Sequence, residues 1–433
     1  MKRQNLIKTF FGFVLCLVSS SCGNELSHPS KPYRAEVIDH VPKTMANSEG
    51  WTVATRELTT LEDIDSLQSP YFSVNLGGQI KISSNVGSLV SAQLDSDSSR
   101  AKLRYAINNG VIVPRDTSSL LALSSFYAFE KTLKALKLST GLEPQTLKDK
   151  LNGAFNVYFE PAIVENQGTN RAVYTLKFNA AFNPENNQFY LFRRSEIETI
   201  PFSANIKVIA HEFGHSLFKT SFHENKSENC SSTDEAAVAA RREDKFFPGR
   251  WNLEYAISGI NEGFSDFHSY IVSGSTNVFA ELAPQITNSN RSLTGPKFTF
   301  SQLGSDSICS GRFYCIGTLF ARALYNVAQQ YSNNQTELMA FSRRVYAALE
   351  KSQEFMRKPP AADIIPYPTQ DVMNCSRRDK PVLTYDGAIT SSFLASFLQS
   401  FAAGEEKKLL CANLTELFGT VGFAPKVRLV CDA

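Results

Sequence analysis

The chain has 433 residues, 42% hydrophobic and 20% charged, with 44 basic residues against 42 acidic ones. That balance supplies ample apolar material for a buried core and excludes the disordered and fibrous classes. The formal charge of +2 falls to about −1 once three basic residues at the amino end are set aside, so there is no basic field to capture nucleic acid.

Lys2, Arg3 and Lys8 precede an apolar run from Phe10 to Val18 and then Ser19-Ser20-Ser21. This is the pattern of a secretory signal over residues 1–21, too short to span a bilayer as a mature helix. Cys22 follows directly, as in a bacterial lipoprotein whose first mature residue is an acylated cysteine, although Ser19 stands where Leu or Val is usual. The expectation is an exported protein anchored in the cell envelope through Cys22, with plain periplasmic or secreted release as the alternative. No later stretch has the run of about 20 apolar residues needed for a membrane-spanning helix. Past Cys22 six cysteines remain: Cys230, Cys309, Cys315, Cys375, Cys411 and Cys431. An even number suits disulfides in an oxidising compartment, with Cys309–Cys315 and Cys411–Cys431 as the local pairs; free buried thiols are the alternative.

Residues 22–70 are polar and turn-rich, with Pro29, Pro32 and Pro42, and read as a tether or a pro-segment. From Tyr71 to Val113, pieces such as Ile80-Lys81-Ile82 and Val111-Ile112-Val113 predict strands broken by Gly, Asn and Ser. A helical period runs over 118–138 through Leu121, Phe126, Phe129, Leu133 and Leu136. Tyr158-Phe159, Val173 to Leu176 and Phe189 to Phe192 return to strand character. After Phe202 the chain reads as mostly helical, broken by polar stretches over 225–249, 287–296 and 359–368. The 32 Phe and 15 Tyr are expected in the core, and there is no internal repeat.

The helical part opens on Val208-Ile209-Ala210-His211-Glu212-Phe213-Gly214-His215, with Ser203 expected as the N-cap. Histidines at i and i+4 share one helix face and can grip one zinc ion, while Glu212 reaches the water on that ion. Zinc brings the water's pKa towards about 7, so a carboxylate can take its proton. The surrounding Ile206, Val208, Ile209, Phe213, Leu217 and Phe218 make the helix a buried one, where such polar groups are costly unless something coordinates them. A hydrogen-bonded pair of core histidines is the bland alternative.

Two histidines need a third protein ligand. The HExxHxxGxxH class is excluded, because Phe218 and Ser221 occupy its glycine and histidine positions. Downstream, Glu262 and Asp266 lie one turn apart in Ile260-Asn261-Glu262-Gly263-Phe264-Ser265-Asp266, flanked by apolar residues. Glu262 can complete a His₂Glu site, and Asp266 can accept the outer ring N–H of a ligand histidine. A solvated acidic face is the alternative. The acidic residues between Glu224 and Asp244 read as a solvated run, and calcium finds no support.

With HExxH followed by this second helix, the chain resembles the thermolysin family of zinc peptidases over roughly residues 71 to 430. Asn179-Ala180-Ala181-Phe182 resembles the family's substrate-binding edge strand, which implies β-addition of the peptide backbone at Asn179 and Ala180. Arg291-Ser292-Leu293 and Pro296 resemble the loop whose arginine hydrogen-bonds a substrate carbonyl. Val345 to Leu349 and Leu417 to Gly422 resemble the closing helices. The chain departs from the family twice. Glu262 follows His215 by 47 residues (215 to 262), about twice the family's separation. The histidine that stabilises the family's transition state is missing, and Tyr314 stands near its place, either as an oxyanion donor or as a core aromatic. Losing such a donor costs roughly a hundredfold in rate.

The resemblance implies a two-lobed α+β zincin, with a strand-rich lobe over 71–202, a mainly helical lobe over 203–433 and one catalytic zinc in the cleft between them. His211, His215 and Glu262 would hold the metal, Glu212 would be the general base, and Tyr314 and Arg291 would assist. The expected activity is internal cleavage of peptides or proteins by a monomer. A zincin-fold binding lipoprotein with weakened turnover, or a zincin acting on another amide or as an exopeptidase, are the alternatives.

Overall fold

The computed structural model describes residues 31–41, 50–82, 92–94, 102–167, 170–174, 180–183, 186–191, 200–222, 253–279, 291–295, 297–302, 312–357, 388–419 and 430–431. The strands are β1 (Tyr33–Val41), β2 (Gly50–Leu58), β3 (Phe72–Leu76), β4 (Gln79–Ile82), β5 (Ala92–Leu94) and β6 (Tyr105–Asn108). They continue with β7 (Val111–Pro114), β8 (Phe155–Phe159), β9 (Ala162–Gln167), β10 (Asn170–Tyr174), β11 (Ala180–Asn183) and β12 (Gln188–Leu191). The helices are α1 (Thr117–Thr140), α2 (Pro144–Lys150), α3 (Ile206–Phe222), α4 (Leu253–Ser273), α5 (Arg312–Ala328), α6 (Gln335–Arg357), α7 (Ala388–Gln399) and α8 (Glu405–Phe418). This is a mixed α+β architecture with small sheets, strand-rich before residue 192 and helical after it among the described residues.

The strands form three four-stranded sheets, ordered β2-β1-β7-β6, β10-β9-β4-β5 and β11-β12-β8-β3. Within the stretch read as a tether or pro-segment, residues 33–41 and 50–58 form strands paired along their whole length, from Tyr33 opposite Leu58 to Val41 opposite Gly50. Ala35, Val37 and Leu58 are fully buried, and the Ile38 N–H donates to Ser124 Oγ of α1. The polar residues that gave this stretch its linker-like look are partly spent on one ion cluster, in which Asp39 takes Arg56 at 2.7 Å and Lys131 at 3.1 Å.

Helix α1 starts where Asp116 accepts the Ser119 N–H and stops at Gly141, whose φ of 83° only glycine adopts without strain. Its buried face and the third sheet share an aromatic core. Phe72 meets Phe126 at 4.6 Å, Phe129 meets Phe189 at 4.8 Å, and Phe155 lies 5.2 Å from Phe189 and 5.4 Å from Phe213 of α3. The sheet is thereby tied to the histidine helix through an aromatic core. Helix α3 is capped two residues later than expected. Asn205 Oδ1 accepts the Lys207 N–H, while Ser203 lies in a preceding short turn where its carbonyl accepts from Ser125. Cys411 and Cys431 are bonded with a Cα separation of 5.8 Å, as their spacing predicts. Cys315 is also disulfide-bonded, whereas Cys309, its expected partner, lies outside the described residues, as do Cys22, Cys230 and Cys375.

Helices α3, α4 and α5 approach each other through glycines. A Cβ added at Gly214 would come 2.6 Å from the Ser265 Cα, and one at Gly263 would come 2.2 Å from the Gly317 carbonyl oxygen. Both contacts are with backbone, so neither helix can yield by turning a side chain. Gly263→Ala should therefore destabilise the chain by about 1–3 kcal/mol or more, the usual range for overpacking a tight core. Urea unfolding of the two chains measures this; an unchanged midpoint would mean that the helices have room to part.

Candidate metal centre

His211 and His215 project from one face of α3, their ring centroids 4.7 Å apart. Glu262 reaches them from α4, with Oε2 3.3 Å from His211 Nε2 and Oε1 3.8 Å from His215 Nε2. One ligand atom of each lies within 4.8 Å of the others, and among the described residues no other such trio converges. The three side chains can hold a metal ion. Two imidazole nitrogens and one carboxylate oxygen are a donor set unlike that of calcium, which takes six to eight oxygens.

The outer ring nitrogens face α4. His211 Nδ1 lies at ion-pair distance, 2.9 Å, from Asp266 Oδ1 but outside hydrogen-bond geometry, and His215 Nδ1 lies 2.9 Å from Asn261 Oδ1 and 3.0 Å from Ser265 Oγ. An amide oxygen only accepts, so the Asn261 contact suits a proton on His215 Nδ1 and leaves Nε2 on the side of Glu262. Glu262, Asp266, Asn261 and Ser265 all come from α4, and their spacing of one turn follows from the helix itself.

Arg291 closes the cluster. Its Nε donates to Asp266 Oδ2 at 3.0 Å, and its Nη2 contacts Asp266 Oδ1 at 3.2 Å, Glu262 Oε2 at 2.6 Å and His211 Nε2 at 3.4 Å. The guanidinium is sandwiched between the rings of Phe279 and Tyr314, each centred 4.5 Å away. Arg322 of α5 donates twice to the Ser292 carbonyl, at 2.9 and 2.7 Å, and so fastens the segment that carries Arg291. The resemblance gives this arginine a substrate carbonyl as partner; in the structure its Nε and Nη2 face the carboxylates of Asp266 and Glu262, which attract a cation strongly.

Burial opposes every charge here, and the partners outweigh it. Desolvation would raise Glu262 and Asp266, but Arg291 and the histidines hold both carboxyls below the ordinary range. Burial would lower His211, yet Asp266 and Glu262 push it up to about 9. Arg291 is likewise held charged by the two acids against its own burial. Tyr314, on the first turn of α5, is pushed up to about 12 by burial and then by the charge of Glu262, with Glu212 adding to it. The phenol therefore stays protonated and can donate. Glu212 itself is 7% exposed beside the two histidines.

Of the other predicted residues, Ala180 lies in β11, an edge strand among the described residues, packed against α3. Asn179 lies outside the described residues. Two contributors escaped the sequence reading. Asn261 stood inside the quoted motif without a role, one turn before Ser265. Phe279 carries no sequence signal at all, since only the fold brings it to Arg291 and within 5.6 Å of the His211 ring.

His268 is a core residue, stacked between Phe213 and Phe264, and its Nε2 has no hydrogen-bond partner among the described residues. Burial, with the nearby His211 charge, lowers it to about 3. Protonation then favours the unfolded chain between pH 6.5 and about 3, so stability should fall on acidification through that window. His268→Phe should remove up to about 1.4 kcal/mol per pH unit of that slope. Unfolding free energies at pH 7, 6 and 5 check this, and parallel slopes for the two chains would contradict it.

Comparison of the whole chain with protein-family models and with curated proteins returns no match, so the functional reading rests on the side-chain geometry and on the motif resemblance.

Proposed function

We propose that the chain is a zinc-dependent metalloendopeptidase. The observation that carries this reading is the convergence of Glu262 on His211 and His215 from a separate helix, with Glu212 next to His211 in the chain. When bound, zinc would supply a Lewis acid that polarises the scissile carbonyl and acidifies water. Glu212 would take the proton of the attacking water and return it to the leaving amine. Asn261 with Ser265 would orient His215, and Asp266, at ion-pair distance from the outer nitrogen of His211, would orient that ring. The Tyr314 phenol would donate to the carbonyl oxygen as negative charge develops there.

The edge of β11 beside α3 suits an extended peptide added as a further strand, which supports internal cleavage. In this reading the strand-rich and helical parts form the two lobes of a zincin with the site between them, and the enzyme is an exported monomer tethered to the envelope through Cys22. A second reading, a metal-holding binding protein with weak turnover, is favoured by one observation. The Tyr314 ring is committed to packing on Arg291, where the resembled family has a histidine.

Purified protein should cleave an unstructured protein substrate, and a chelator should abolish the cleavage. Glu212→Gln should lower the rate by roughly 10²–10⁴-fold while zinc content stays stoichiometric. Zinc-loaded wild-type protein without cleavage would favour the binding reading. Tyr314→Phe should cost about tenfold to a hundredfold in kcat with little change in KM; an unaltered kcat would reduce Tyr314 to a packing partner of Arg291.

A further inference from the structure

We infer that Arg291 is a built-in competitor for the metal, so that occupancy of the centre is set by whether this guanidinium stays or swings away. The inference rests on the proposed zinc site. His211 has two ring nitrogens, and Nδ1 faces Asp266. Nε2 is the atom a metal must take, and Arg291 Nη2 lies 3.4 Å from it. The same Nη2 donates at 2.6 Å to Glu262 Oε2, the carboxylate oxygen nearest that nitrogen. A guanidinium and a metal cation cannot share these two ligand atoms, and arginine does not relieve the conflict by losing its charge.

The guanidinium is not there by accident of rotamer. Asp266 grips its Nε and Nη2, Phe279 and Tyr314 cover its two faces, and Arg322 pins the carbonyl of the next residue. The hold is therefore divided. The Nε–Asp266 contact and the stacking can survive while Nη2 turns off Glu262 and His211. That pivot would release two ligand atoms for the metal and leave an N–H facing the cleft. It also supplies the counter-charge that two buried carboxylates would otherwise lack.

The test compares zinc binding by the full-length wild-type and Arg291→Met chains, using competition with a chromophoric chelator, beside thermal unfolding without metal. Methionine keeps an apolar stem between Phe279 and Tyr314 and removes the charge. The expected result is zinc binding tighter by roughly tenfold or more, with a metal-free unfolding midpoint lower by several degrees. Phe279→Leu, which loosens the sandwich without touching the ligands, should shift zinc affinity in the same direction by about twofold to fivefold; it carries the test if the methionine chain does not fold. Equal or weaker zinc binding in the variants overturns the competition and leaves the metallopeptidase reading standing. Failure of every chain to bind zinc overturns both.

Discussion

Everything at the centre depends on helices that cross with almost nothing between them. Gly214 lies on the Ser265 backbone, and Gly263 and Gly317 lie on each other. Each contact is too short for a methyl group, so the distance between α3 and α4 is set by backbone, the least compliant part of a protein. The glycines alternate along the chain with the functional residues: Gly214 precedes His215, and Gly263 follows Glu262. The same turn that lets the helices touch therefore aims the ligands across the contact.

That closeness also creates the electrostatic problem that the remaining residues solve. Glu262, Asp266, His211 and Arg291 all lie where water is scarce, and a single unpaired charge there costs several kcal/mol. The cluster balances two carboxylates against one guanidinium and an imidazole pushed towards its charged form. A divalent ion would satisfy the same carboxylate and imidazoles in another way. The two arrangements share Asp266 as the fixed point, since it touches both His211 and Arg291. Its position, one turn beyond Glu262, makes it the hinge between metal binding and the arginine.

The strands serve this centre at one remove. Phe155 and Phe189 of the third sheet press on Phe213, the residue between Glu212 and Gly214, so the sheet sets the pitch of α3 about its own axis. Strand β11 comes to the same helix with one edge unpaired among the described residues. For the proposed peptidase this couples the substrate's backbone to the element that carries the base.

The local features were legible because they depend on spacing alone. Histidines four apart, an acid and its outer partner four apart, the buried period of α1 and α3, and the loop closed by Cys411 and Cys431 all follow from helix geometry or chain length. Features that depend on which segments meet were not. Residues 33–58 look like a linker because Asp39, Arg56 and their neighbours are polar, and only the pairing of β1 with β2 and of Asp39 with Lys131 shows the polarity being consumed. Phe279 has no motif, and the inward turn of Arg291 reflects the summed pull of two carboxylates from another helix. By itself the sequence determined which atoms could bind a metal, since identity and helical repeat are local. The tertiary structure decided that these atoms meet, and that a guanidinium meets them too, because burial and close packing are properties of the whole chain.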